Sequence, residues 1–206
     1  MLRARPLAIG LAVLLAATGA AMAEDLPDAK SLAKALYKTG KRATMVNILQ
    51  PDMVPAPYKA ALENAVEIQH YFEAMAASPD EGMLAGSAFL ATNHHTAAAA
   101  HASAIAGCNA KKKSGSKSCV VIAEFLPKDY KGPGVFSMSY TANEYFAKEF
   151  RRAKAPKAFA ISPSAGSWGA ADGAASTEAA QAAALADCSA KAAKVGAKDC
   201  KLISAD

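Results

Sequence analysis

Apolar positions along the chain alternate between a two-residue period and a three-to-four-residue period, and the switches mark out its elements. Asp28 to Tyr37 predicts a short helix, with Asp28 as N-cap, Leu32, Ala33 and Leu36 on one face, and Gly40 as the stop. Arg42 to Leu49 alternates around Thr44, Val46 and Ile48 and predicts a strand. Pro51, Pro55 and Pro57 make a connection, and Pro57 opens a helix carrying Tyr58, Ala61, Leu62 and Ala65 inward. His70 to Ser78 and Met83 to Ala91 predict strands on either side of a Pro79–Gly82 turn. Thr96 caps an alanine-rich helix reaching Cys108, and Cys119 to Phe125 follows as a strand. Its consecutive Val120, Val121 and Ile122 leave neither face polar, which places it inside a sheet.

Pro127 to Gly134 reads as a linker. A strand, Val135 to Ser139, then precedes a helix with Thr141 and Glu144 at capping-box spacing and Tyr140 and Tyr145 at staple spacing. Tyr145, Phe146, Phe150 and Ala153 form its inward face, and Pro156 ends it. Lys157 to Asp206 reads as strand, tight turn, strand, alanine-rich helix and return strand.

This last stretch has a looser copy upstream. Thr96–Cys108 lies on Ser176–Cys188 without a gap, Ile105 meets Leu185, and the turns Ser78-Pro79-x-x-Gly82 and Ser162-Pro163-x-x-Gly166 match. The expected fold is α+β, with two tandem β-α-β-β-α-β units over residues 42–126 and 135–206, after an N-terminal helical segment at 24–41. Each unit is a small, mostly antiparallel sheet packed by alanine-rich helices and stapled by one disulfide. The copying favours Cys108–Cys119 and Cys188–Cys200, and a helix rising from Cys188, reversing at Gly196 and returning as a strand brings Cys200 back level with Cys188. Loop rules leave an inter-unit bridge such as Cys108–Cys188 open.

Residues 1–23 read as a secretory signal peptide: Arg3 and Arg5, then the apolar run from Leu7 to Ala17, then Ala21-Met22-Ala23 before Glu24. That run is shorter than the roughly twenty residues a spanning helix needs. Cleavage removes two arginines, so the net charge of +5 falls to +3 and gives little support to a polyanionic partner such as nucleic acid. All four cysteines lie in the exported part, where an even number reads as two structural disulfides; neither pair has Cys-x-x-Cys redox spacing.

The C-terminal unit resembles the small exported, cysteine-containing domains of domain-of-unknown-function family 4189. The matching residues are Ala158 to Ser162, the Pro163–Gly166 turn, Trp168-Gly169, Ala179-Ala180, Ala183 to Leu185, Cys188 and Asp199-Cys200-Lys201. The first unit lacks the Trp-Gly pair. The resemblance implies an exported α+β module with no assigned activity and no catalytic residue to carry over. Similar tandem exported proteins are associated with an aminolevulinate-synthase label, but such an enzyme holds pyridoxal phosphate on a lysine of a large α/β fold, and no residue pattern here supports it.

Candidate chemistry is sparse. His94, His95 and His101 cluster in sequence near a helix start and could bind zinc or copper, although their spacing matches no standard pattern; the plainer reading is a polar loop and a flanking histidine. Lys111, Lys112, Lys113 and Lys117 form a basic tip suited to anionic lipid or envelope polymer, or simply a solvated loop. Trp168 is expected as a core anchor. Ser162, Ser164 and Ser167 have no G-x-S-x-G context, and no cofactor is implied. The reading is an exported binding or structural module whose partner is a cell-envelope component or another exported protein. The alternative is a small enzyme or metal-dependent protein using the three histidines.

Overall fold

The computed structural model describes residues 26–66, 70–133 and 136–206; the signal peptide expected at residues 1–23 lies outside them. The chain is α+β, with two small antiparallel sheets. Helix α1 (Ala29–Ala33) starts where the Asp28 carboxylate accepts the Ser31 N–H at 2.7 Å. There follow β1 (Thr44–Ile48), α2 (Ala56–Ala65), β2 (Glu73–Ala77), β3 (Phe89–Ala91), α3 (Ala97–Asn109) and β4 (Val120–Pro127). The second half contains α4 (Tyr140–Lys148), β5 (Ala158–Ile161), β6 (Trp168–Ala171), α5 (Thr177–Ala192) and β7 (Lys201–Ala205). The first sheet runs β1-β4-β2-β3 and the second β6-β5-β7.

β5-β6-α5-β7 follows the order and pairing of β2-β3-α3-β4. A register shift falls between Met75 and Ala76 on β2, and another between Phe159 and Ala160 on β5. Thr96 and Ser176 each cap their helix through a side-chain oxygen, accepting the N–H of Ala99 (3.1 Å) and Ala179 (3.2 Å). Alanine lets both helices lie close to their sheets: Ala100, Ala104 and Cys108 pack on Ala74 and Ala76, and Ala180, Ala184 and Cys188 on Ala158 and Ala160. The close approach is met differently in the two halves. At Gly169 on β6, a Cβ would come within 2.3 Å of the Ala184 carbonyl, whereas β3 carries the Phe89 ring and the helix above it supplies Gly107, where a Cβ would meet that ring at 2.5 Å. Each helix is tied to its return strand by one disulfide, Cys108–Cys119 and Cys188–Cys200, both with Cα atoms 6.1 Å apart. The opposite face of the second sheet is aromatic: Phe146, Phe150 and Phe159 pack with Met138, Leu32 and Ile203.

Several expectations are corrected. The described residues of the predicted strand Val135 to Ser139 do not pair into a sheet, because Ser137 and Ser139 hydrogen-bond to His95 instead. The second sheet therefore has three strands. The cap of α4 is Ser139, not Thr141; Thr141 bonds Asn93, Glu144 pairs with Lys148, and Tyr140 and Tyr145 go to separate aromatic groups, Tyr71 and Trp168. Of the predicted strand Met83 to Ala91 only Phe89–Ala91 is extended. The rest is turn, held by the Glu81 carboxylate, which accepts from Ser87 Oγ at 2.6 Å and from the Lys113 N–H at 2.7 Å. Tyr58 and Ala61 on α2 are exposed, and only Leu62 packs against the sheet. Trp168 is half-buried and anchors as expected, stacked on Phe159 at 5.4 Å between ring centroids.

Candidate functional site

The loop leaving β3 is where the two halves meet. Asn93 takes a left-handed conformation (φ 58°), and its Oδ1 accepts from the Thr141 backbone at 3.2 Å and hydroxyl at 2.9 Å. Its carbonyl oxygen lies 2.1 Å from where a Cβ on Gly166 would sit, so the Ser162–Ser167 turn can approach only with glycine there.

His95 follows and is 1% exposed. Its Nδ1 accepts the Ser139 N–H at 2.8 Å, which fixes the proton on Nε2, and Nε2 donates to the Ser167 carbonyl at 2.9 Å. Its own carbonyl accepts from Ser137 Oγ at 2.6 Å. Burial pushes the imidazole down to about 4, so it is neutral at physiological pH. One side chain thus clasps the α4 start and the β6 hairpin to the loop after β3.

His94 has no such partners. It is 7% exposed, its backbone N–H donates to the Phe72 carbonyl at 3.1 Å, and its Nδ1 is sealed from solvent with nothing to bond. Burial lowers its affinity for a proton as well. The ring sits in the wall of an open cleft of about 410 Å³, whose other walls are Phe89 to Thr92, Ser103 on α3, Ser164-Ala165 in the hairpin turn, and Val195 to Ala197 after α5. No lining residue is a lysine, arginine or carboxylate.

His101 lies elsewhere. On α3 its Nε2 bonds Glu124 Oε2 at 2.8 Å, and Glu124 Oε1 accepts from Asn47 at 3.0 Å. The His101 hydrogen bond, ahead of the Asn47 one, holds the Glu124 carboxyl below its usual value. The three imidazoles expected to gather at one metal therefore have three separate environments, and both nitrogens of His95 are already used. Among the described residues no group of three or more His, Cys, Asp or Glu side chains is arranged to hold a metal ion.

The lysine tip is braced rather than bare. Lys111 lies over the Phe89 ring at 4.7 Å, Lys112 Nζ donates to the Ser116 carbonyl at 2.6 Å, and Lys117 Nζ is 3.4 Å from Asp80. Hydrogen bonds from Ser116 and Ser87 hold the facing Glu81 carboxyl down to about 2. Ser162 is fully buried and donates to Asp199, and both ring nitrogens of His95 are hydrogen-bonded elsewhere. Sequence reasoning missed two buried charges, each one residue before the first alanine of its strand. Glu73 is 3% exposed with Oε2 unpaired and is pushed up to about 7 by burial, and Lys157 reaches Asp206 at 3.4 Å.

Comparison of the chain with protein-family models, curated proteins and solved structures finds no match. Among the described residues no helix is long and apolar enough to cross a membrane.

Proposed function

We propose that the chain is an exported module, periplasmic or secreted, whose business is binding rather than catalysis, and that its two halves are copies of one disulfide-stapled unit. The observation that carries this reading is the pair of closed disulfides, one per sheet, in a chain where all four cysteines are used. Bridges of this kind persist in oxidising compartments and substitute for the area that alanine helices do not bury. Residues 1–23 supply the export signal, and kinship of residues 135–206 with family 4189 belongs to the same reading. The partner is a cell-envelope component or another exported protein. The clasp at His95 supports a binding role, because it holds two small sheets as one body with a cleft between them. The separate surroundings of His94, His95 and His101 give no support to one metal shared by the three.

Fractionation of cells expressing the full chain tests this. The protein is expected in the periplasm or medium, beginning at Glu24 and carrying no free thiol; a cytosolic protein that retains residues 1–23 and four reactive thiols would sink the proposal.

A further inference from the structure

The cleft beside His94 has a definite chemical character. Its lining is in part apolar, from Phe89, Leu90, Ala91, Ala165 and Val195, with Leu90 and Val195 at 39% and 69% exposure, while Thr92 and Ser103 supply hydroxyls and Ser164, whose hydroxyl also bonds the Asp199 carboxylate, an oxygen. A volume of about 410 Å³ falls within the usual range for small-molecule sites. The buried ring at its wall adds direction. Nδ1 of His94 is sealed and unpaired, and a buried N–H without a partner is rarer and costlier than a bare lone pair. The neutral ring therefore carries its proton on Nε2, the nitrogen left to meet a ligand. No cationic side chain is present to neutralise an anion, and burial keeps the imidazole itself uncharged.

We propose that this cleft binds an uncharged sugar, with His94 Nε2 donating to one ring hydroxyl, the Thr92, Ser103 and Ser164 hydroxyls bonding others, and the C–H face of the sugar lying on Leu90 and Val195. The assignment rests on the exported-module reading, which places the protein among envelope saccharides. The site is made jointly by both halves, so its shape depends on the clasp at His95. Hydroxyl side chains act as donor or acceptor, which suits a polyol whose hydroxyls do both.

The test is a ¹H–¹⁵N NMR titration of the oxidised mature protein with glucose, galactose, N-acetylglucosamine, maltose and trehalose, alongside sodium acetate and inorganic phosphate at matched ionic strength. At least one sugar is expected to shift amides confined to residues 89–94, 103, 164–165 and 195–197, with acetate and phosphate leaving them in place. The double variant Thr92→Val/Ser103→Ala, both positions being hydroxyls at the cleft surface, should keep the wild-type spectrum elsewhere and bind that sugar about tenfold more weakly. No shift from any of the sugars, shifts mapping to another surface, equal or larger shifts from the anions, or undiminished binding in the double variant would each overturn the assignment. Export and thiol state are read separately by fractionation, so a silent titration of correctly exported, fully oxidised protein counts against the sugar site alone.

Discussion

Two buried groups titrate in the same pH range with opposite effects on stability, and separating them tests the structure sharply. His95 is neutral when folded, held at about 4 against an ordinary 6.5 because burial disfavours the charged ring. The unfolded chain binds the proton first as pH falls, so this side chain favours the folded state above pH 6.5, and that contribution drains away between about 6.5 and 4. The span corresponds to about 3 kcal/mol. Burial lowers His94 in the same direction. Glu73 does the reverse: its folded value of about 7 against 4.5 means the folded state takes up the proton first, so acidification from 7 to 4.5 relieves a burden of about 3 kcal/mol. The wild type should therefore show a shallow profile between pH 7 and 4.5, because the two trends oppose. Glu73→Gln removes the relief and leaves the histidines, so stability should fall by about 3 kcal/mol over that range. Urea unfolding followed by circular dichroism at pH 7, 6, 5 and 4, disulfides intact, reads the slopes directly. A Glu73→Gln profile parallel to the wild type would refute the reasoning.

Gly166→Ala places a Cβ 2.1 Å from the Asn93 carbonyl at a φ of 65°, so it should cost about 2–4 kcal/mol, read as a lowered urea midpoint. Removing the second bridge with Cys188→Ala/Cys200→Ala should cost about 3 kcal/mol in the same assay, as expected for closing a loop of this length. Non-reducing peptide mapping of the wild type should recover Cys108 linked to Cys119 and Cys188 to Cys200; a peptide joining Cys108 to Cys188 would contradict the structure. Asn143→Ala deletes donors to the Tyr37 carbonyl and to Tyr71 Oη, the latter at 2.7 Å, and should destabilise by about 2–3 kcal/mol by leaving both buried oxygens unpaired.

What was legible in the sequence was the chemistry that acts over a few residues. Asp28, Thr96 and Ser176 cap helices through bonds to an N–H three positions on, and that spacing is visible in a string of letters. The disulfide pairing was readable because Thr96–Cys108 aligns with Ser176–Cys188 without a gap and the helix-reversal-strand path has a fixed reach. Long-range contacts were not. Val135 to Ser139 alternates like a strand, but Ser137 and Ser139 are recruited by a histidine more than forty residues away. Thr141 and Ser139 are both credible caps, and the choice was made by Asn93, which takes the threonine. His94 and His95 adjoin in sequence, yet one ring is fully bonded and the other faces a cleft, because successive side chains leave the loop in different directions. The Phe89–Gly107 and Gly169–helix arrangements held a signal that was there to find: where one half places a ring, the other places glycine.

The clasp at His95 joins the loop after β3 to the α4 start and the β6 hairpin. Long-range ¹H–¹⁵N correlation of the histidine rings across a pH titration observes it directly. His95 is expected as the Nε2–H tautomer, with Nδ1 unprotonated and no titration down to pH 5. A His95 ring that titrates near 6.5, or that carries its proton on Nδ1, would contradict it.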